Sequence, residues 1–425
     1  MNAIGIVILA TLVLGAALDL VADLLNLRRM HTELPAAFAG WYDPDRYRQS
    51  QTYQQVNTRF GWGVAMTDLG VLLIFWFGGG FGWLDQWVRA LALGPVASGL
   101  IFIAVLAAAK AFIAQPFGIY ATFVIEARFG FNRTTWPTFL LDRAKGVGLA
   151  VLLGAPVLSA VLFFFQSAGA DAWWYCWMIT VGFMLLMHYI APTWIMPLFN
   201  RFTPLPEGEL RAAITDYARR IDFALDNIFV MDGSKRSSKA NAFFTGFGRH
   251  RRIVLFDTLI AKHTVDELVA VLAHEMGHFR QRHILKMLLM GIGQAGLMFY
   301  LLSWFISYPP LFAAFGIETP SVHAGLVFFG LLYTPLDLLL GMAMQCISRR
   351  HEFAADRFAV TTARRGGALA AALKKLSVDT LSNLDPHPFY VFLHYSHPPV
   401  KQRVAAIEAS LGAQRGAPGQ QGLAD

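Results

Sequence analysis

Two histidines, His274 and His278, stand four residues apart in an HEMGH run, with Glu275 between them. The stretch from Asp266 to His278 has the apolar spacing of an amphipathic helix, in which residues i and i+4 share one face. Both imidazoles can therefore grip one ion. Neutral imidazole nitrogen suits zinc, and a catalytic zinc takes three protein ligands and leaves its fourth position to water. Glu275 sits beside the pair, where it can take the proton of that water. These residue types at this spacing point to metal-assisted hydrolysis. The blander alternative is a polar helix face carrying two ordinary histidines, and the periodicity of the flanking helix disfavours it.

A three-ligand site needs a further ligand from elsewhere in the chain. The run from Ser348 to Arg357 offers Glu352 and Asp356, again i and i+4 on one helical face. A carboxylate there completes a His-His-Glu set, and Asp356 can accept the second ring N–H of a liganding histidine and fix its tautomer. His351 and His283 compete for the third position, and spacing alone does not choose among them. The competing reading of Glu352 and Asp356 is a solvated face paired with Arg349, Arg350 or Arg357.

The elements that carry these residues belong to a membrane protein. Hydrophobic residues make up 56% of the 425-residue chain, charged residues 15%, and the mean hydropathy is +0.46. An ordinary soluble chain is about a quarter charged. The surplus falls in seven apolar runs, near 3–23, 61–83, 94–118, 147–167, 173–198, 284–307 and 322–346. Each approaches the ~20 residues that cross a hydrocarbon core. Arg28, Arg29, Arg46, Arg48 and Arg59 crowd the first connection, and Arg128, Arg133, Arg143 and Lys145 the third. The stretch 84–93 has only Arg89, while 168–172 and 308–321 have no basic residue. The positive-inside rule then puts the N-terminus outside, and the HEMGH helix and the C-terminus in the cytoplasm. The net charge of +7 is accounted for by these loops and calls for no nucleic acid. A cleaved signal peptide over 1–18 is disfavoured, since no basic residue precedes the apolar run. Cys176 and Cys346 form no CxxC pair and imply neither a disulfide framework nor a thiolate zinc site.

The expected organisation is therefore a set of membrane helices with a split cytoplasmic domain. Residues 1–198 hold helices one to five with their loops, and 199–283 the first part of an α+β domain. Residues 284–346 hold helices six and seven, 347–412 the second part of the domain, and 413–425 a Gly/Gln/Pro/Ala-rich disordered tail. Within the first part a helix is expected near 207–222, strands near 227–232, 239–247 and 251–257, and the histidine-bearing helix from Val265.

At these residues the chain resembles the M48 metallopeptidases, where HEMGH is followed by an EFAAD helix. Pro116 to Asn132, Pro192 to Leu205, Asn241 to Phe247 and His394 to Pro399 are similar to the Ste24-type CAAX prenyl proteases in particular. The similarity extends to about residue 410. It implies a mainly α-helical polytopic protein in which seven transmembrane helices enclose a water-filled chamber, capped by a small zincin-like domain. It implies one zinc per chain on His274, His278 and Glu352, with Asp356 behind a ligand. The segment Asn241, Ala242 and Phe243 matches the edge strand that pairs with extended substrate, a geometry that supplies backbone hydrogen bonds. His397 and Arg403 match a C-terminal segment near the substrate carbonyl or carboxylate. One departure is Lys239, where the family often has histidine. A chamber also accommodates Asp19, Asp23, Asp68, Lys110 and His188, which fall within or near the apolar runs and cost several kcal/mol there unless paired or hydrated.

The expected partners are the lipid bilayer and a peptide or protein substrate, prenylated if the resemblance extends to specificity; the pattern fixes no oligomeric state. In the expected reaction Glu275 acts as general base and then general acid, and His397 supports the tetrahedral oxyanion. Two rival readings differ in class. One is general proteolysis of damaged membrane proteins. The other is a transporter or channel with a structural metal site; it predicts repeated halves and broken helices in corresponding positions, and the sequence shows neither. A structural zinc would also need a fourth protein ligand in place of water and would leave Glu275 unexplained.

Overall fold

The computed structural model describes residues 1–30, 33–223, 225, 227–245, 252–363 and 366–416. The first half is helical: α1 (Ala3–Arg29), α2 (Pro44–Phe77), α3 (Gly80–Ala90), α4 (Pro95–Tyr120), α5 (Trp136–Leu149), α6 (Ala155–Ser167), α7 (Ala172–Ile190) and α8 (Met196–Phe199). π-helical turns at Ala121–Glu126, Ala150–Gly154 and Ala191–Ile195 extend α4, join α5 to α6 and join α7 to α8. An α+β segment follows, with β1 (Phe202–Pro204), α9 (Glu209–Arg220), β2 (Asn227–Met231), β3 (Ala242–Thr245), β4 (Arg252–Phe256), α10 (Asp257–Ile260) and α11 (Val265–Arg280). The chain then continues through α12 (His283–Phe305), α13 (Pro309–Ala313) and α14 (Val322–Ala363) to α15 (Gly366–Asp379), α16 (Pro388–His394) and α17 (Val400–Gly416). Among the described residues, seven helical stretches are long and apolar enough to cross a membrane, as the hydropathy pattern predicts.

Apolar runs mark the hydrocarbon crossing, not the helix ends, and the boundaries differ accordingly. The second span does not run from 61 to 83. Its helix begins at Pro44, capped by Asp43, whose side chain accepts from the Asp45 N–H, and stops at Phe77. Gly79, at φ 73°, turns the chain into the separate helix α3, so the apolar residues beyond 79 do not continue the span. At the other end of the molecule α14 passes through the expected boundary at 346 without a break and runs for 42 residues to Ala363. The ligand candidate Glu352 thus sits on the same helix as the seventh span. The last helix reaches Gly416, beyond the tail boundary expected at 413, and 417–425 lie outside the described residues.

Among the described residues, the extramembrane part forms a four-stranded sheet in the order β1-β2-β4-β3. β2 and β4 are parallel, and β3 pairs antiparallel with β4, with Phe243 opposite Val254. This leaves β3 at an edge of the sheet. The expected third strand near 239–247 is described only to Thr245, and 246–251 lie outside the described residues. Behind the sheet, Ile253 and Leu255 of β4 pack with Val269, Leu272 and Met276 of α11 and with Val360 of α14 in one buried core. α11 starts on a capping box in which the Thr264 side chain accepts from the Glu267 N–H and Glu267 accepts from the Thr264 N–H. Its buried apolar face then sets which way His274 and His278 point.

A partly open cavity of about 1090 Å³ lies among the membrane helices, lined by α1, α2, α3, α4 and α14 and by Tyr390 and His394 of α16. Asp19, Asp23, Asp68 and Lys110 all line it, which accounts for charges within apolar helices. Asp23 accepts a hydrogen bond from Trp62 Nε1 at 2.7 Å. His188 is not among the lining residues. Cys176 and Cys346 carry free thiols.

α11 and α14 cross closely at Gly277. A Cβ built there meets the Ala355 backbone at 3.2 Å and the Phe358 ring at 3.1 Å. Backbone gives way less readily than a side-chain tip, so Gly277→Ala is expected to push the helices apart at a cost of ~1–3 kcal/mol. A lowered thermal midpoint of the detergent-solubilised variant checks this.

Candidate metal centre and active site

The α11–α14 crossing brings together the side chains singled out by spacing. His274 and His278 direct Nε2 atoms at one point, 3.1 Å apart, with their rings at 80°. Glu352 reaches the same point from α14, with Oε2 at 3.4 Å from His274 Nε2 and Oε1 at 3.2 Å from His278 Nε2. One ligand atom from each of the three residues falls within 4.8 Å of the other two. Two nitrogens bound to one zinc at tetrahedral angles stand about 3.3 Å apart, given bonds of 2.0–2.1 Å.

The surroundings favour a cation. Glu275, Glu352 and Asp356 bring three carboxyl groups to the site, and the Arg403 guanidinium contacts two of them, Glu352 and Asp356. Glu352 Oε2 is buried and accepts no hydrogen bond, although Arg403 Nη1 approaches to 3.1 Å. Burial pushes the His274 imidazole pKa down and so does Arg403, yet the contacts with Asp356 and Glu352 outweigh both and lift it to about 9. The site therefore draws positive charge even to a buried imidazole. The donor set fits a metal ion.

Asp356 Oδ1 lies 2.9 Å from His274 Nδ1. With the proton on Nδ1, the His274 Nε2 lone pair is free to face the other ligand candidates. Asp356 is in turn gripped by Arg403 through two bonds, Nε to Oδ2 at 2.8 Å and Nη2 to Oδ1 at 2.7 Å. Arg403, expected near substrate, is buried at 8% exposure, and its donors face Asp356 and Glu352. The His-Pro-Pro segment shared with the resembling family did not distinguish a substrate contact from a buried brace.

Glu275 is half-buried on α11. Burial pushes its carboxyl pKa above the ordinary range, against the pull of His274 and His278. A carboxyl tuned upward in this way is better matched to giving and taking protons near neutrality. His397 is exposed beside the site, its Nε2 3.2 Å from Glu352 Oε1 and its Nδ1 2.9 Å from Ser396 Oγ. Asn241 is exposed at the start of the edge strand, where its side chain accepts from the Ala242 N–H. Phe243 meets Phe256 edge-on across the sheet at 6.3 Å, and Phe244 of the same strand contacts Phe279 of α11 at 5.0 Å. The edge strand is thereby tied to the histidine-bearing helix.

Lys239, the residue that departs from the resembling pattern, is ion-paired with Glu126 at 2.8 Å and donates to Tyr53 Oη at 3.0 Å. Arg236 forms two bonds to Asp142, at 2.7 and 2.9 Å. Both contacts pin the chain leading into β3 to the membrane part. Sequence reasoning missed them, because each joins positions about a hundred residues apart that carry no local signal. His283 and His351, weighed as competing ligands, lie outside the ligand group; His283 Nδ1 is 3.0 Å from His278 Nδ1.

Residues 204–411, which contain His274, Glu275, His278, Glu352 and Asp356, match the profile of peptidase family M48. Residues 23–201 match the CAAX prenyl protease N-terminal domain of five membrane helices. The chain is 33% identical to CAAX prenyl protease 1 of Saccharomyces cerevisiae over 406 residues, covering 89% of each. The chain belongs to the M48 peptidases, in their Ste24-type CAAX prenyl protease branch. It is similar to the CAAX prenyl protease 1 homolog of Arabidopsis thaliana, at 36% identity over 388 residues, covering 88% of this chain and 90% of that one. The crystal structure of S. mikatae Ste24p superposes with a TM-score of 0.91 at 31% identity, covering 96% of this chain and all of that one. The protein is thus a multi-pass membrane protease, and membership of this family implies a metal, which the donor set above fits.

If Arg403 braces the site from behind, its loss leaves the buried carboxylates of Asp356 and Glu352 uncompensated. Arg403→Leu is expected to destabilise the metal-free protein by ~3–5 kcal/mol. A role confined to substrate would leave the denaturation midpoint of the metal-free protein unchanged.

Proposed function

We propose that the protein is a zinc endopeptidase that removes the C-terminal tripeptide from prenylated CAAX substrates, with His274, His278 and Glu352 as metal ligands. The observation that carries this reading is the meeting of two Nε2 atoms and one carboxylate at a single point, beside a glutamate whose pKa is raised by burial. Substrate class rests on the relatives, which are named for CAAX prenyl proteolysis. The large lined cavity among the membrane helices supports it, offering room for an extended chain with its lipid.

In this reading His274, His278 and Glu352 would hold zinc, which would supply Lewis acidity toward the scissile carbonyl. Glu275 takes a proton from the attacking water and returns it to the leaving amine. Asp356 holds the His274 tautomer through Nδ1, and Arg403 holds Asp356. His397, exposed beside Glu352, donates to the oxyanion that forms at the scissile carbonyl. The segment Asn241, Ala242 and Phe243 aligns the peptide by adding it to the sheet edge. The basic connections support an N-terminus outside and an active site in the cytoplasm.

Glu275→Gln is expected to retain zinc and lose roughly 10²–10⁴-fold in turnover, measured on a farnesylated CAAX peptide with detergent-purified protein. His274→Ala is expected to lose the metal by elemental analysis. Equal cleavage of the same peptide without its lipid would instead favour general membrane proteolysis. Zinc binding with no cleavage of either peptide would favour a non-catalytic protein.

Orientation has its own check. In a chain whose two native cysteines are replaced, a cysteine placed at Ala170 should react with an impermeant thiol reagent on intact cells. One placed at Glu207 should react only after lysis, and the reverse pattern would overturn the assignment.

A further inference from the structure

The two candidate histidine ligands are not supported alike. His274 has a carboxylate behind it, Asp356 at 2.9 Å from Nδ1. Behind His278 stands another histidine, with His283 Nδ1 3.0 Å from His278 Nδ1. Two imidazole nitrogens at that distance share one proton, so one ring donates and the other accepts. His278 Nε2 faces His274 Nε2 at 3.1 Å and Glu352 Oε1 at 3.2 Å, where a ligand must offer a lone pair. Its proton is then on Nδ1, which makes His278 the donor and His283 the acceptor.

The acceptor is held firmly. His283 is buried at 4% exposure, and its ring lies face to face with His351 at 3.9 Å and 8°. It stands edge-on to His278 at 5.1 Å and 75°. The backbone is bent to bring it there. Arg282 adopts φ 57°, a left-handed conformation unfavourable for a residue with a side chain, and so turns α11 into α12 with His283 at the first position. His351 immediately precedes Glu352 on α14. A closed ring results, from Glu352 to His278 to His283 to His351 and back to the Glu352 backbone.

We propose that His283 is a positioning residue, the neutral acceptor that fixes the tautomer and ring plane of His278, with His351 as the platform that fixes His283. This rests on the metal-site reading above and deepens it. A histidine in place of a second carboxylate orients the ring without adding a negative charge to the site. It also ties His278 to the first turn of the sixth membrane-crossing helix and to the seventh, so the ligand geometry depends on how those helices pack.

The test is zinc affinity of the full-length protein in detergent, read by competition with a chelator, for wild type, His283→Phe, His283→Asn and His283→Gln. Phenylalanine keeps a ring against His351 and removes the acceptor. Asparagine puts Oδ1 where Nδ1 was, and glutamine carries its amide one methylene too far. The expected result is a 10–100-fold loss for His283→Phe, a similar loss for His283→Gln, and recovery to near wild type for His283→Asn. A folded His283→Phe with wild-type affinity would overturn the proposal. Should that variant fail to fold, equal affinities for His283→Asn and His283→Gln would overturn it in its place. A wild-type protein that binds no zinc would sink the metal reading and this inference together. Unaltered variants beside a zinc-binding wild type would sink this inference alone.

Discussion

The contact on which the rest of the structure depends is the crossing of α11 and α14 at Gly277. Only there, with no Cβ between the helices, can Glu352 come within 3.2–3.4 Å of two imidazoles presented by the other helix. Everything nearby serves that approach. The capping box at Thr264 starts α11, the apolar core beneath the sheet fixes its rotation, and the Arg403 brace holds Asp356 against His274. Each of these interactions is modest by itself, but together they hold several like charges within a few ångströms. That arrangement costs several kcal/mol unless each charge has a partner.

The second constraint comes from the bilayer. Buried backbone polar groups must be satisfied within the helices that cross it, and the chain does this with seven apolar stretches. π-helical turns interrupt two of the crossings and close a third, and Pro116 and Pro335 lie within helices. The charges that remain inside face one another across a cavity, where Asp23 is hydrogen-bonded to Trp62. The extramembrane part is fastened to this frame by Lys239 on Glu126 and by Arg236 on Asp142. These pairs bridge the two parts just before the edge strand, so the chain entering the strand is tied to the membrane helices as well as to the sheet.

How much of this was legible in the sequence depends on the range of the interaction. Period and spacing within one element were enough for the histidine pair on α11, for the Glu352 and Asp356 face, and for the strands at Asn227–Met231 and Arg252–Phe256. Hydropathy found the seven crossings but misjudged their ends. A helix continues through polar residues wherever its backbone bonds continue, as α14 does past 346, and it stops at glycines within an apolar run, as α2 does at Gly78 and Gly79. The burial of Arg403, the pairing of Lys239 and the place of His283 behind His278 were not legible. The first two depend on contacts between distant segments. The third depends on a left-handed residue at 282 that breaks the helical period between positions five apart.

α14 has a further consequence. At 1.5 Å per residue, 42 residues make a rod about 63 Å long, roughly twice the hydrocarbon thickness of a bilayer. One end of that rod lines the membrane cavity and the other carries Glu352. The peptidase is consequently no detachable module. The segment that matches it, 204–411, passes through the membrane twice on its way from the histidines to the carboxylate. No cut in the chain yields a soluble fragment holding all three ligand candidates in sequence. In a protein built this way, the ligand candidates can meet only when the sixth and seventh crossings are in place.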